Sequence, residues 1–478
     1  MELERLEEYV WRIPMENGMR VPGIVFASQE LMDKAVQDRA IEQVANVATL
    51  SGIVGASYAM PDIHWGYGFP IGGVAATDAH DGVISPGGVG FDIACGVRLL
   101  RSDLEWEKTV EPVIEKLVHA LGIHVPRGVG TKGLMRLSRK DVERVLVEGV
   151  RFPLSRGMGF EEDAEHCEDA GTLAGARPEF VSEKAFQRGS GQLGSLGAGN
   201  HFVEVQVVEE IVDPRSADVM GLFIGQVCVM VHSGSRGLGH QVCTDHVKVM
   251  DRLMPSLGIE VPDRQLACVP LSHPAAAEYQ GAMYAAANFA RANRHVLGNG
   301  VREAFQDVFG RSARDLGLFL VYDVAHNLAK VEEHVVDGKR RTVCVHRKGA
   351  TRAFGPGHPE VPVAYREIGQ PVIIPGSMGT ASYVLVGTNE SADRSFSSTC
   401  HGAGRAMSRT KAKKVMSGSE LARKLEADGI TLAPAHWGLL SEEAPYAYKD
   451  VSEVVRVCQG AGLCRIVARL RPVGVVKG

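Results

Sequence analysis

Six short segments of this 478-residue chain contain histidine, cysteine, aspartate or arginine, and five of the six also contain glycine. Glycine adopts positive φ without strain and lets a ligand approach the main chain closely. The chain has 55 glycines, and they fall in no repeat. The six segments therefore indicate an enzyme built from shaped loops, and they cover residues 60–66, 87–96, 197–204, 232–237, 323–327 and 400–405.

Five of these residues are candidate metal ligands. Asp92 and Cys95 are three residues apart after a run of glycines, so a single turn could present both to one ion. His201, His232 and His326 each fall at the end of a predicted strand. A divalent metal needs deprotonated or neutral donors gathered from separate segments. This donor set suits Zn, Mn, Fe or Co without choosing among them, and a hydrogen-bonded structural role is the alternative for any single histidine.

His401 is a candidate nucleophile. It precedes a predicted helix that begins near Gly404 and continues with basic residues as far as Lys414. A helix N-terminus favours phosphate, and a neutral imidazole can attack phosphorus. The pattern therefore favours phosphoryl transfer, although a solvated helix face is the alternative explanation of the basic run.

The segment 188–194 contains a formal G-x-G-x-x-G pattern. A dinucleotide-binding fingerprint must open a helix, whereas this segment is predicted to lead into another turn and a strand. We therefore reject the dinucleotide interpretation. Arg188 and the backbone N–H groups could still hold an anion, and a loop packed only for shape is the alternative.

Hydrophobic periodicity predicts helices and strands that alternate without strict βαβ order, so we expect an α+β fold with a mixed or antiparallel core. Residues 52–104 are expected to form glycine-rich loops and short strands, and the polar run 161–169 a surface loop. No domain boundary is predicted. The predicted helices are 29–49, 110–121, 140–150, 241–254, 275–296, 300–309, 403–414 and 419–427, and the main predicted strands are 202–208, 223–231, 318–321, 342–345, 372–374 and 383–386.

Composition restricts the class of protein. A net charge of −5 argues against an indiscriminate nucleic-acid binder but not against a local basic groove. The acidic N-terminus lacks the order of a signal peptide, and the apolar stretch 221–231 is shorter than the roughly 20 residues that span a bilayer. Nine scattered cysteines predict reduced, buried thiols rather than disulfides. We therefore expect a cytoplasmic enzyme without a membrane partner.

Five motifs together resemble the RtcB family of tRNA-splicing and RNA-repair ligases, over a span from about Pro22 to Gly478. The resemblance implies an RtcB-type α+β fold, treated as a single catalytic domain over residues 1–478, around a deep metal-containing cleft. The motifs are GNHF at 199–202, HSGSRG at 232–237, HRKGATR at 346–352, PGSMGT at 375–380 and HGAGR at 401–405.

The same resemblance implies the roles of the site residues. His401 matches the histidine that becomes guanylated. Two Mn²⁺ ions are implied, one bound by Cys95, His232 and His326 and the other by Asp92, Cys95 and His201. Asp62 and His64 match residues near the metals, and Arg188, Lys348 and Arg409 match residues that hold RNA phosphates. The implied GTP-binding residues are Asn200, Phe202, Glu204, Asn327, Pro375, Gly376, Ser377, Met378, Ser382, Ala403, Gly404, Tyr448 and Lys477.

The resemblance implies an RNA ligase that uses GTP as co-substrate. It would join RNA 2′,3′-cyclic phosphate or 3′-phosphate ends to 5′-hydroxyl ends through a histidine–GMP intermediate and an RNA 3′-phosphate activated with GMP. The implied partners are tRNA halves or broken RNA ends and an archease-type activator protein. Two alternatives stay open: a metal-dependent RNA-end phosphodiesterase or phosphatase without ligation, and a non-catalytic RNA-binding protein.

Overall fold

Two large sheets form the framework of the protein, which a computed structural model describes over residues 3–478. Within that range there are nineteen strands. They are β1 (Glu4–Glu7), β2 (Val10–Ile13), β3 (Gly23–Phe26), β4 (Ile53–His64), β5 (Ile71–Asp78), β6 (Val83–Ile84), β7 (Gly96–Glu105), β8 (Phe202–Ile211), β9 (Gln226–Ser233), β10 (Val269–Pro270), β11 (Phe319–Ala325), β12 (Asn327–Val336), β13 (Lys339–Lys348), β14 (Ala350–Arg352), β15 (Pro371–Ile374), β16 (Ser382–Gly387), β17 (Ser398–Cys400), β18 (Thr431–Pro434) and β19 (Cys464–Lys477).

The first sheet has the strand order β1-β2-β3-β4-β5-β13-β12. The second has the order β11-β7-β9-β8-β19-β16-β15, and β18 also pairs with β19. Parallel pairing occurs between β3 and β4 and between β18 and β19, and the other named pairs are antiparallel. The prediction of helices combined with mixed sheets is confirmed, whereas the single domain and the depth of the cleft stay predictions.

The helices pack on both sheets, and the longest lies behind the second sheet. Leu297 and Val301 of this helix share a core cluster with Val229 of β9. The helices in residues 3–478 are α1 (Gln29–Gln37), α2 (Ala40–Val47), α3 (Ile114–His124), α4 (Arg139–Glu148), α5 (Arg151–Leu154), α6 (Glu183–Gly189), α7 (Pro214–Met220), α8 (Arg236–Leu253), α9 (Pro274–Phe309), α10 (Glu390–Ser395), α11 (Arg409–Val415), α12 (Gly418–Ala427) and α13 (Val451–Gly460).

The prediction of separate helices over 275–296 and 300–309 is wrong, because α9 runs unbroken through both ranges. Gly298 and Gly300 lie inside it. A Cβ on Gly300 would lie 2.6 Å from the carbonyl oxygen of His124, so this glycine serves close packing rather than a helix end.

Two other predicted helices have different bounds. The range 29–49 contains two helices, because Arg39 adopts φ 61° between α1 and α2. In the range 110–121 the α-helix begins only at Ile114, after a π-helical turn over Trp106–Val110 and a 3₁₀ turn that contains Pro112. Proline is tolerated there because a first turn needs no N–H donor from it.

The predicted helix 403–414 is wrong at its start. Helix α11 begins at Arg409, and the Ser408 side chain caps it by accepting from the N–H of Lys411. Gly404 has φ +68°, and a Cβ there would lie 2.2 Å from the carbonyl oxygen of Asp62. His401 therefore does not lie at a helix N-terminus, and a helix dipole does not account for its chemistry.

Two loop predictions are also wrong. The range 52–104 contains the twelve-residue strand β4 and the ten-residue strand β7, not only short strands. The polar run 161–169 is not a simple surface loop, because Asp163 and Glu168 are buried. Asp163 pairs with Arg302 at 2.5 Å and Glu168 with Arg352 at 3.2 Å, which offsets the cost of burying these carboxylates.

All nine cysteines are buried free thiols, as predicted. Among the helices of residues 3–478, none combines the length and the apolar character that crossing a bilayer requires.

Candidate active site

Four of the candidate ligands lie side by side at the ends of four neighbouring strands of the second sheet. His326 directly follows β11, Cys95 directly precedes β7, His232 is the penultimate residue of β9, and His201 directly precedes β8. These four strands are consecutive neighbours in the order β11-β7-β9-β8. Because they are antiparallel, the end of each strand lies beside the start of the next, which brings the four side chains together.

The five donors form two triads that share one sulfur atom. Cys95 Sγ lies 3.3 Å from His232 Nε2 and 3.5 Å from His201 Nε2. The other contact, between His201 Nε2 and Asp92 Oδ2, is 3.0 Å. In each of the sets Cys95–His232–His326 and Asp92–Cys95–His201, the donor atoms lie within 4.8 Å of one another. The structure thus brings together the residues that the resemblance implies as ligands of two ions.

Hydrogen bonds orient two of these donors. Asp92 Oδ1 accepts from the N–H of Ser235 at 3.0 Å and from its hydroxyl at 3.3 Å, so Oδ2 is left to face His201. His201 Nδ1 lies 2.9 Å from the carbonyl oxygen of Leu196, to which it donates. When the ring is neutral, the lone pair of His201 is therefore on Nε2, the atom that faces Cys95 and Asp92.

Burial sets the protonation of the other donors. It holds the pKa of His232 and of His326 well below the usual value, so both rings are neutral near pH 7. Burial also raises the pKa of the Cys95 thiol well above its usual value. A divalent cation between these donors would supply the positive charge that a buried thiolate needs, so the residues present fit a metal centre.

The backbone beside Cys95 is held from α9. Ala94 adopts φ 52°, an uncommon conformation for a residue with a side chain. Arg294 Nη1 donates to the carbonyl oxygens of Ala94 at 2.7 Å and Ser233 at 3.0 Å, and its guanidinium pairs with Asp323 at 2.7 Å. Sequence reasoning missed Arg294, although an arginine inside the alanine-rich helix α9 was a signal of a buried polar role.

His401 lies beside this cluster and is held by Asp62 of β4. His401 Nδ1 is 2.6 Å from Asp62 Oδ2, and its ring centroid is 4.9 Å from that of His326. Burial opposes ionisation of Asp62, but the charge and hydrogen bonds of His401 outweigh it and hold the pKa of Asp62 below its usual value. When the ring is neutral and Nδ1 donates to Asp62, the free lone pair is on Nε2.

One cavity of about 430 Å³ joins His401 to the metal donors and to most of the implied nucleotide residues. His201, Asp62, Glu204, Ser382 and Arg188 do not line it. The candidate residues that do are His64, Asp92, Cys95, Asn200, Phe202, His232, His326, Asn327, Lys348, Pro375, Gly376, Ser377, Met378, His401, Ala403, Gly404, Arg409, Tyr448 and Lys477.

Glu204 and Ser382, which are not among the lining residues, are connected through Gln206. Its Nε2 donates to Glu204 Oε2 at 2.8 Å and to Ser382 Oγ at 2.9 Å. Burial raises the pKa of Glu204 to about 7. Within the described part of the chain, Glu204 Oε1 is buried without a hydrogen-bond partner. The nearby Lys477 Nζ lies 5.5 Å from the ring centroid of Phe202.

A family model described as tRNA-splicing ligase RtcB matches residues 43–478. This chain belongs to the RtcB family. Proteins named tRNA-splicing ligase RtcB from Archaeoglobus fulgidus and Thermococcus kodakarensis are 54% and 53% identical to it, over 100% of this chain and 99% of each relative. An RNA-splicing ligase RtcB from Mycobacterium tuberculosis is 54% identical over 91% of this chain and 100% of its own length. The resemblance inferred from the motifs is confirmed.

Sequence reasoning on this RtcB-family chain missed Glu443, which lines the cavity. Glu443 accepts from Arg409 Nε at 2.7 Å and from Arg405 Nη1 at 3.1 Å, and the Tyr448 hydroxyl also donates to it. The Arg405 guanidinium carbon lies 5.0 Å from the Tyr448 ring centroid. Glu443 therefore connects two arginines with the tyrosine, and no motif distinguished it from the other acidic residues around it.

The three RNA-phosphate candidates of the RtcB resemblance lie in different surroundings. Arg409 lines the cavity, and half of its side chain is exposed. Lys348 also lines it, but its Nζ donates to the carbonyl oxygens of Tyr67 at 2.5 Å and Phe69 at 3.0 Å, and burial lowers its pKa to about 7. The structure places Arg188 outside the cavity, where it donates to the Gln241 side chain at 3.2 Å.

Asn327 and His64 contact the backbone of the site. Asn327 Nδ2 donates to the carbonyl oxygen of Asp92 at 3.1 Å, and its Oδ1 accepts from the N–H of Gly349 at 2.8 Å. His64 Nδ1 lies 3.0 Å from the carbonyl oxygen of Asp62, and burial lowers the pKa of His64 to about 3. Further cavity residues that were not among the candidates are Tyr67, Ile71, Gly90, Phe91, Gly349, Gly402, Arg405 and Glu443.

Proposed function

We propose that this RtcB-family protein is a GTP- and Mn²⁺-dependent RNA ligase that joins 2′,3′-cyclic phosphate or 3′-phosphate ends to 5′-hydroxyl ends. The observation that carries the proposal is the position of His401, whose ring is hydrogen-bonded by Asp62 and packs against His326 in the cavity of the two donor triads. The relatives named RNA-splicing ligases support the same activity.

In the first proposed step, His401 Nε2 attacks the α-phosphorus of GTP. An N–P bond forms, the bond to the β-phosphate oxygen breaks, and pyrophosphate leaves. Asp62 favours this attack because it keeps the ring proton on Nδ1 and stabilises the positive charge that develops on the imidazole. Asp62 also accepts from the backbone N–H groups of His401 and Gly402, which fixes the loop.

The residues that would hold two Mn²⁺ ions are Asp92, Cys95, His201, His232 and His326. Bound there, Mn²⁺ would stabilise the negative charge that phosphoryl transfer concentrates on oxygen atoms. The shared thiolate favours Mn²⁺ over Mg²⁺, since Mg²⁺ prefers oxygen ligands.

In the later proposed steps, water opens the RNA cyclic phosphate to a 3′-phosphate, whose oxygen takes GMP from His401. The 5′-hydroxyl of the second RNA end then attacks this activated phosphorus, loses its proton and releases GMP, which forms a 3′,5′ bond. Arg409 is the best-placed of the three candidates to hold an RNA phosphate, because it lines the cavity and half of its side chain is exposed.

We propose that Glu204, Ser382 and Lys477 read the guanine edge and that Tyr448 stacks on the base. Guanine presents N1–H and N2–H donors to a carboxylate, and adenine does not present this pair. The buried Glu204 Oε1, which lacks a partner in residues 3–478, is an acceptor suited to them. The remaining nucleotide-binding candidates, proposed to contact the sugar and phosphates, are Asn200, Phe202, Asn327, Pro375, Gly376, Ser377, Met378, Ala403 and Gly404.

Incubation with α-labelled GTP and Mn²⁺, followed by denaturation, tests this function. We expect an acid-labile protein label that is lost in His401→Ala and retained in His80→Ala, a control on an exposed turn. RNA with a cyclic phosphate end and RNA with a 5′-hydroxyl end should be joined only when the label forms. Hydrolysed ends without label or joining would show the phosphodiesterase instead. RNA binding that survives Cys95→Ala, without any turnover, would show a non-catalytic binder.

Three further proposals follow from family membership. The physiological substrates are tRNA halves or broken RNA ends, the location is the cytoplasm, and an archease-type protein activates the enzyme. Purified protein that turns over repeatedly without such an activator would contradict the last of these.

A further inference from the structure

Aromatic rings form part of the cavity wall, and no step of the proposed reaction uses them. Tyr67 and Phe91 both line the cavity, with ring centroids 5.2 Å apart in an edge-to-face arrangement. The ring of His240, on α8, continues this cluster, with its centroid 5.0 Å from that of Phe91. Tyr67 and Phe91 are half-buried and His240 is exposed, so the rings are not sealed in the core.

This aromatic cluster of Tyr67, Phe91 and His240 lies beside the metal donors. Phe91 directly precedes Asp92, whose carboxylate contacts His201 at 3.0 Å. The backbone of Tyr67, which lines the cavity, is held by Lys348, whose Nζ donates to its carbonyl oxygen. A nucleotide that presents a phosphate or a hydroxyl to the metal donors would therefore have its base close to these rings.

Cationic side chains border the cluster. Partial desolvation by the neighbouring rings and chain, and next the charge of Arg188, lowers the pKa of His240, which keeps that ring neutral at pH 7. Arg188 contacts Gln241, the next residue on α8. Arg236, at the start of α8, donates to the Ser195 hydroxyl at 3.2 Å, and its charge acts on Asp92, the residue after Phe91. Neutral rings beside cationic side chains are the combination with which proteins hold single-stranded nucleic acid.

We propose that Tyr67, Phe91 and His240 form a stacking subsite for the base of the RNA nucleotide beside the break. The inference rests on the proposed ligase function and adds to it a site for the RNA base that is separate from the guanine site. Unpaired bases at RNA ends are recognised mainly by stacking on aromatic rings, which tolerates any sequence. The guanine site at Glu204 and Tyr448 is occupied by the nucleotide of GTP, so the RNA base needs a surface of its own.

RNA substrates that lack one base test the subsite. We would measure single-turnover joining with a normal RNA pair and with an abasic nucleotide at the break, placed either on the 3′-phosphate strand or on the 5′-hydroxyl strand. For the natural protein we expect joining to slow by roughly tenfold on the strand that uses the subsite. The strand on which the abasic nucleotide slows joining is the strand whose base stacks in the subsite.

The variant Tyr67→Leu removes a ring without touching a metal donor. It should slow joining of normal RNA by roughly tenfold and show no further loss with the abasic strand, because the two changes remove the same contact. Tyr67→Phe keeps the ring and should join RNA at close to the natural rate. Phe223→Leu, which changes a partly exposed ring on another surface, should leave both RNA joining and self-labelling with GTP unchanged.

Two results would overturn the subsite. One is that Tyr67→Leu and the abasic nucleotide slow joining independently, so that their effects multiply, whichever strand carries the abasic nucleotide. The other is a loss of self-labelling with GTP as large as the loss of joining, which would mean that Tyr67 acts on the metal or nucleotide site. Failure of the proposed function itself looks different, because the natural protein would then neither label nor join.

Discussion

Asp62 Oδ2 lies 2.6 Å from His401 Nδ1, although the two residues are 339 positions apart in the chain. The same oxygen accepts from the backbone N–H groups of His401 at 3.0 Å and Gly402 at 3.3 Å. Three donors on one buried carboxylate oxygen fix both the loop and the tautomer of the ring. In the neutral ring, Nε2, the atom that we propose attacks GTP, is therefore left without a proton before any nucleotide binds.

Asp62→Asn tests this relationship. An amide in place of the carboxylate can donate to Nδ1, which would shift the ring proton to Nε2 and remove the attacking lone pair. We expect self-labelling with GTP to slow by about ten-thousandfold, as for other catalytic histidines that lose their carboxylate. Mn²⁺ content and unfolding temperature report whether the fold persists, and Asp81→Asn on an exposed turn is the control. If Asp62→Asn labels itself at the rate of the natural protein, Asp62 does not set the tautomer of His401.

Cys95→Ala tests the shared sulfur. Because Cys95 belongs to both donor triads, its loss should weaken both ions rather than one, and the bound Mn²⁺ should fall from two per protein towards none. Titration calorimetry or metal analysis after gel filtration measures this stoichiometry. Cys228→Ala, another buried thiol on the strand that carries His232, should keep both ions. Two ions retained at full affinity in Cys95→Ala would contradict the assignment.

Glu204 predicts a pH dependence of GTP binding. Its pKa of about 7 means that the free protein holds it protonated below that pH, whereas acceptance from guanine requires the carboxylate. Affinity for GTP should therefore rise as pH increases towards about 7, by at most about tenfold per unit, and level off above it. The KM for GTP in the labelling reaction, measured between about pH 5.5 and 8.5, checks the profile.

The matched variant for that profile is Glu204→Gln. This variant keeps the shape of the side chain but cannot ionise. Its KM for GTP at pH 8 should therefore exceed that of the natural protein, and it should not increase further at low pH. A profile that is the same in both proteins would show that another group titrates.

Glu443→Gln removes the charge that connects Arg405, Arg409 and the Tyr448 hydroxyl. With this charge gone, the tyrosine ring loses its anchor, and we expect the KM for GTP to rise by about tenfold while labelling at saturating GTP changes little. Glu442→Gln is the control, because the half-buried Glu442 pairs mainly with Lys413, at 2.5 Å. Equal effects of the two variants would deny Glu443 a specific role.

Arg409→Ala separates RNA binding from guanylation. Because half of its side chain is exposed at the cavity, its loss should slow joining by at least about tenfold more than self-labelling. Joining should also become less sensitive to salt, since a phosphate contact has been removed. Lys413→Ala, one turn further along α11, is the control. Equal losses in labelling and joining would place Arg409 at the nucleotide instead.

Local pattern was sufficient for most helices and strands but not for their ends. Apolar residues at helical spacing predicted α4 and α12 to within two residues at each end. The same pattern predicted two helices where α9 is continuous, because Gly298 and Gly300 indicate a break. Residue spacing cannot show that Gly300 is needed for close packing, since the carbonyl oxygen of His124 fills the space that a side chain would occupy. It also started a helix at Gly404, where contact with Asp62 instead imposes a turn. Packing against distant residues decided both.

The sequence by itself determined the kinds of donor, the candidate nucleophile and the family, because these depend on residue type and on motifs of a few adjacent residues. Only the tertiary structure decided that His326, Cys95, His232 and His201 meet at one sheet edge, since that requires four strands in a particular antiparallel order. It alone disclosed Arg294 and Glu443, which no motif distinguishes. Their roles arise from hydrogen bonds to residues distant in the chain, and such contacts exist only once the fold has formed.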